Sequence, residues 1–264
     1  MPGSSGGRRR GIGPTDVGIV LACALAVLLA GPRADPSASG STGRSAADGS
    51  DAAARQAAVL PGAPVLDADG IQRRLSGSAG PSIALTFDDG PDPRWTPTVL
   101  QLLRAHQVRA TFCLVGQHVA GHPELVRQIA ADGHALCNHS WSHDEAMQRR
   151  SAASVSADLA RTTRAITAAA GRPPQYYRAP GGNWAPTAVA DADRQGLRLL
   201  GWTVDPYDWR RPPAAEITRR VLAGAQPGAI VLLHDGYGAR GNTVAALRTL
   251  LAALSARQLR FVTP

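Results

Sequence analysis

From residue 81 onward, short apolar runs alternate with longer amphipathic stretches. The short runs predict strands over Ser82–Phe87, Ala110–Val115, Ala135–Asn138, Gln175–Arg178, Arg198–Val204, Ala229–Leu233 and Leu259–Val262. The amphipathic stretches predict helices over Thr96–His106, Pro123–Asp132, Ser151–Ala170, Pro186–Gln195, Ala214–Ala223 and Thr243–Ala256. Pro123 and Pro186 suit helix starts, and Gly171 with Pro173 closes the longest helix. Strands separated by helices of this length imply right-handed crossovers and a mostly parallel sheet. The periodicity fits an open doubly wound sheet and a closed barrel equally well.

The chain before residue 81 is different. Arg8, Arg9 and Arg10 precede an apolar run from Val17 to Ala30. That run suits the core of a signal peptide and is shorter than the ~20 residues of a spanning helix. Residues 1–34 therefore read as a signal peptide or a short N-terminal membrane anchor, with small residues near Ala30 and Ala34 permitting cleavage. Either places the rest outside the cytoplasm, secreted or tethered to the outer face of the membrane. Residues 35–80 read as a flexible linker rich in Ala, Gly, Ser and Asp. Within it, Val59–Leu75 has enough apolar character to dock. Residues 81–264 form the main domain.

Composition narrows the class. With 44% hydrophobic and 18% charged residues in 264, the chain is neither disordered throughout nor a multispan membrane protein. Its net charge of +8 is carried by Arg alone, and the main domain has no dense basic run. Nucleic acid is therefore not the expected partner, whereas an anionic cell surface is compatible. The expected state is a monomer.

Chemically capable residues gather just after strand ends. Asp88 and Asp89 follow the first strand, His139 the third, Arg178 the fourth, Asp205 and Asp208 the fifth, and His234 with Asp235 the sixth. Carboxyl ends of parallel strands share one face, where active sites sit. Helix capping accounts for one such Asp, not for five segments. His139 and His143 are four apart, a spacing that one helical turn brings onto one face. Two His and one carboxylate leave coordination positions open for water. A zincin would carry Glu directly after the first His, where this chain has Ser140. The base must come from elsewhere, and the Asp88–Asp89 pair is the obvious source. One carboxylate can bind a metal while the other stays free for a proton, and adjacent acids call for both a cation and an Arg nearby. His118 and His122 share the spacing but lack acidic neighbours in sequence, and His122 opens a helix at Pro123, so they are set aside. His106 and His134 read as structural.

These residues resemble the polysaccharide deacetylase (NodB-homology) family, carbohydrate esterase family four. Five motifs carry the resemblance in order: Thr86-Phe-Asp-Asp-Gly-Pro91, His139-Ser-Trp-Ser-His143, Arg178-Ala-Pro-Gly-Gly-Asn-Trp184, Asp205-Pro-Tyr-Asp-Trp209 and Leu232-Leu-His-Asp235. The resemblance implies an α/β fold, a distorted (β/α)7 barrel, with a divalent metal, commonly zinc, and removal of acetyl groups from an N-acetylated polysaccharide. It implies Asp89, His139 and His143 as metal ligands, Asp88 as base, His234 as acid and Arg178 as the residue orienting Asp88. Asp208 pairs with the acid, and Asp205 supports the site. Gly181 supplies a backbone donor for the oxyanion, and Trp209 and Leu232 wall the acetyl pocket. The chain departs from the family at Gly181, where a Tyr is common.

All five Trp lie in or beside the motifs, and aromatic faces stack on sugar rings. Trp95 and Trp184 are the expected substrate contacts, with Trp202 and Trp209 candidates for the core. Cys113 and Cys137 fall on consecutive strands. Free thiols are favoured over a disulfide, because bonds between neighbouring strands demand special geometry. Two rival classes are a non-haem iron oxygenase and a non-catalytic carbohydrate-binding module. The first leaves Asp88 and His234 without roles, and the second does not need them intact. Among polymers, peptidoglycan and chitin-like N-acetylglucosamine chains lead, with acetylated xylan as the ester alternative.

Overall fold

Strand β1, Ser82–Asp88, is buried at every position. It sits mid-sheet with a partner on each edge, and side chains on both faces of its run from Ile83 to Phe87 are buried, as in parallel sheets generally. The computed structural model describes residues 65–76 and 80–264; the expected signal or anchor and most of the linker lie outside them. After β1 come α1 (Thr96–Ala105), β2 (Thr111–Leu114), α2 (Gly116–Gly121), α3 (Pro123–Ala131), β3 (Ala135–Asn138) and α4 (Ala152–Ala170). Then follow β4 (Tyr176–Tyr177), α5 (Pro186–Arg194), β5 (Arg198–Leu199), α6 (Ala214–Gly224), β6 (Ala229–His234), α7 (Gly241–Ala256) and β7 (Arg260–Phe261).

The strands pair in the order β5-β4-β3-β2-β1-β6, and every pair is parallel. β7 lies beside the start of β1, at Ser82 and Ile83, below the point where β2 begins to pair at Thr86. The expected fifth strand, Arg198–Val204, is cut short after Leu199. Beyond it the chain crosses the open side of the sheet, and Val204 bridges Val231 of β6. Residues 71–75 fill the gap lower down: Gln72 bridges Leu200, Arg74 bridges Ala229, and Ile71 and Leu75 are buried. The curled sheet is therefore closed by irregular chain, which makes it a distorted seven-stranded barrel.

Local signals explain both ends of the longest helix. Ser151 caps α4 by accepting the Ser154 N–H at 3.2 Å, and Gly171 ends it with a left-handed φ of 73°. Helix α2 was not expected, because Gly at both ends with Gln117 and His118 between them leaves no apolar period. Inside, Phe87 and Phe112 sit in register and stack at 5.3 Å. His134 stacks on Phe112 and accepts the Ala110 N–H, and burial lowers its pKa to about 4, so it is a neutral structural ring as expected.

One expectation is corrected. Cys113 of β2 and Cys137 of β3 are register partners, with Cα atoms 4.2 Å apart, and they form a disulfide rather than free thiols. Direct opposition on adjacent strands supplies the close approach that such a bond requires.

Candidate active site

β3 delivers His139 into a tight loop, not the helical turn that the four-residue spacing suggested. Ser140 and His143 both adopt left-handed backbone, with φ of 64° and 55°. Side chains hold the loop: Asn138 Oδ1 accepts the Ser140 N–H at 2.9 Å, and Ser140 Oγ accepts the His143 N–H at 3.0 Å. Asp158 of α4 accepts the Trp141 N–H at 2.7 Å. The result is the same as a helical face would give, since the His139 and His143 rings stand edge to face 4.9 Å apart.

β1 delivers the carboxylates. Asp89 Oδ1 lies 3.3 Å from His143 Nε2 and 3.6 Å from His139 Nε2. It is buried and has no hydrogen-bond partner among the described residues. A buried carboxylate oxygen facing two imidazole nitrogens is the donor set of a divalent cation site, and the three residues fit such an ion. His139 Nδ1 donates to the Arg178 carbonyl at 2.8 Å. A carbonyl can only accept, so Nδ1 carries the proton and Nε2 is left free to ligate.

Asp88 is bound differently. Arg178 Nη1 donates to its Oδ1 at 2.6 Å. The same guanidinium, fully buried, also donates to Thr86 Oγ1 and to the carbonyls of Leu200 and Gly201. Burial alone would raise the Asp88 pKa, but Arg178, then His139 and His234, outweigh it and hold the carboxyl below its ordinary range. The surroundings of Asp88 thus favour its ionised form beside the candidate cation site.

On the far side of β1, β6 places His234 at the register of Asp88. Its Nδ1–H donates to Asp208 Oδ1 at 2.7 Å. Asp208 Oδ2 accepts the His234 N–H at 2.9 Å and the Thr243 hydroxyl at 2.8 Å. Burial would lower the His234 pKa, but the bond and charge of Asp208, with Asp89 and Asp88 behind it, push it up to about 9. Asp205 accepts the Tyr207 N–H at 2.7 Å, which shapes the turn leading to Asp208, and burial raises its pKa.

A cavity of about 650 Å³ opens over these groups, lined by Asp88, Asp89, His139, His143, Asp205 and His234. Gly181, Trp209 and Leu232 line it as expected. No described acceptor takes the Gly181 N–H. Trp95 and Trp184 do not line it. Trp184 packs edge-on to Tyr177 at 6.2 Å, and Trp95 packs against the main core. Trp202, expected in the core, packs against the inner cluster that includes Tyr176 and Leu200 and also lines the cavity. The reason is chain path: Trp202 lies on the irregular stretch that closes the barrel, whereas Trp184 precedes α5 and is drawn beneath it.

Sequence reasoning missed four residues. Tyr237 and Glu145 line the cavity. Tyr237 meets the His143 ring edge to face at 5.4 Å and the tilted His118 ring at 4.8 Å. Arg240 is buried with Nη2 3.9 Å from Asp89 Oδ2. His118 donates from Nδ1 to the Asp89 carbonyl at 2.7 Å, so it holds the ligand's backbone. His122 turns away to Glu124, and the two do not form a metal pair. None of the four lies inside a motif, and only the fold brings them in.

The Asp89 turn also depends on Gly236. A Cβ there would run into the Asp89 carbonyl. Gly236→Ala is expected to lower the thermal midpoint and weaken divalent-ion binding together, measured by thermal unfolding and equilibrium dialysis. Unchanged ion binding would show that the turn tolerates the shift.

Known proteins share this arrangement. Residues 76–200 match the family model described as polysaccharide deacetylase. A chitooligosaccharide deacetylase of Bradyrhizobium sp. (strain ANU 289) is 43% identical over 188 residues, covering 67% of this chain and 85% of the relative. A peptidoglycan-N-acetylglucosamine deacetylase of Bacillus cereus is 39% identical over 183 residues, covering 69% and 85%. Among solved structures, a family 4 carbohydrate esterase from Streptomyces lividans in complex with acetate superposes with a TM-score of 0.64 at 32% identity, covering 70% of this chain and 93% of that one. With relatives of this identity spanning most of their own length, and with the curled parallel sheet in common, the chain belongs to the polysaccharide deacetylase (NodB-homology) family, carbohydrate esterase family four, and is a polysaccharide deacetylase.

Proposed function

We propose that the chain is a metal-dependent N-deacetylase of N-acetylglucosamine polymers, with cell-wall peptidoglycan or chitin-like chains as substrate. One observation carries this reading: a carboxylate–two-imidazole set, an ionised Asp88 and a protonated His234 share one cavity. Asp89, His139 and His143 would hold a divalent ion, for which zinc suits the ligand types. Such an ion, when bound, polarises an acetyl carbonyl and acidifies water.

The chain's own residues supply the rest. Asp88, fixed by Arg178, takes the proton of the attacking water. The Gly181 N–H donates to the developing oxyanion. His234, locked through Nδ1 on Asp208, has Nε2–H left to protonate the departing nitrogen. Trp202, Trp209, Leu232 and Tyr237 offer apolar surface to sugar and acetyl methyl groups. The named activities of the Bradyrhizobium and Bacillus relatives support an amide substrate. The basic and apolar N-terminal residues support export to the face of the cell where such polymers lie.

The test is acetate release from N-acetylated chitooligosaccharide, peptidoglycan and acetylated xylan, with and without chelator. Release from the first two, lost on chelation and restored by Zn²⁺, is expected. Release from xylan alone would make the chain an O-acetyl esterase, and full activity after chelation would remove the metal from the reading.

A further inference from the structure

We infer that Glu145 makes this deacetylase recognise a free amino group on the sugar chain at its cavity wall, so that partly deacetylated chains are preferred ligands. The inference rests on the N-acetylglucosamine reading above and deepens it.

Gly181 adopts a left-handed φ of 58° and has no side chain, and the Glu145 carboxyl takes the space where one would begin. A Cβ built on Gly181 would meet Glu145 Cδ at 2.9 Å and Oε2 at 3.1 Å. The backbone beneath is tied to the same turn, because Asn183 Nδ2 donates to the Glu145 carbonyl at 3.2 Å. Glu145 is exposed and lines the cavity wall beside the oxyanion donor.

The other carboxylates of the cavity are committed. Asp88 pairs with Arg178, Asp89 faces the two ligand imidazoles, and Asp205 accepts the Tyr207 N–H. Glu145 is exposed and has no cation within ion-pair distance among the described residues, whereas the Asp205 carboxyl is taken up by the turn at Tyr207. An N-acetylglucosamine polymer is neutral until an acetyl group is removed. The product amine, protonated near neutral pH, is the one cationic group that the polymer backbone then carries. A fixed, solvent-facing carboxylate at the wall attracts that ammonium, and the attraction is screened by salt. Hydroxyl recognition by the same carboxylate would not distinguish acetylated from deacetylated units and would depend little on salt.

The experiment uses the glucosamine tetramer as a ligand, measured by calorimetry, and the N-acetylglucosamine tetramer as a substrate, measured by acetate release. Glu145→Gln, nearly isosteric and exposed, is checked for an unchanged thermal midpoint. The expected result is a roughly two- to fivefold weaker binding of the glucosamine tetramer in Glu145→Gln, the size of an exposed ion pair. High salt should bring the wild type to the same weaker value. Equal binding by both proteins, or a loss that salt does not reproduce, overturns the inference. Acetate release reports separately on the deacetylase reading: weaker binding without release keeps the Glu145 role and removes the substrate assignment, and release without a binding difference does the reverse.

Discussion

Asp88→Asn is expected to keep its divalent ion and to lose about 10²–10⁴-fold in turnover, the usual worth of general-base help. Asp88 is the carboxylate left over once Asp89 faces His139 and His143. The amide cannot accept the proton of water at neutral pH. The variant should still fold, because Arg178 keeps its bonds to Thr86, Leu200 and Gly201. It should also be less stable, since a buried guanidinium loses its counter-charge. Dialysis against Zn²⁺ and single-turnover acetate release separate binding from chemistry. If Asp88→Asn loses the ion and Asp89→Asn retains it, the two roles are exchanged.

His234→Ala should damage amide hydrolysis far more than hydrolysis of an activated aryl acetate, by about 10²-fold or more. An amide nitrogen must be protonated to leave, whereas an aryl oxide departs unaided. The wild-type pH profile follows from the same pair. His234 is pushed up to about 9 and acts while protonated, so amide turnover falls as pH rises through that value. Asp88 lies below its ordinary range and acts while ionised, so it limits turnover only in acid. A cation on Asp89 cancels part of the charge that raises His234, so the alkaline limb falls at or somewhat below 9. Equal losses on both substrates, with the alkaline limb unmoved, would assign His234 a structural role.

The strand-end chemistry was legible because parallel crossovers must put all carboxyl ends on one rim. That argument names Asp88, Asp89, His139, Arg178, Asp208 and His234 without any knowledge of sheet closure. What it cannot supply is the path of irregular chain. The tight loop at Ser140 is built from side-chain bonds, which leave no period in the apolar pattern. The fifth strand reads as continuous to Val204, yet its ladder with β4 ends at Leu199, and beyond it the chain pairs with Gln72 and then with Val231. Trp202 lies on that stretch and reaches the cavity from it. Glu145, Tyr237, Arg240 and His118 lie between motifs, and each reaches the site through a turn that only the folded chain defines.

Arg178 has a consequence of its own. Its side chain grips Asp88, and its carbonyl fixes the His139 ring. Base and ligand thus hang from one residue at the end of a two-residue strand. A displacement of that strand end would therefore be felt by base and ligand at once, so a substitution that loosens Tyr176–Tyr177 would disturb both without touching either.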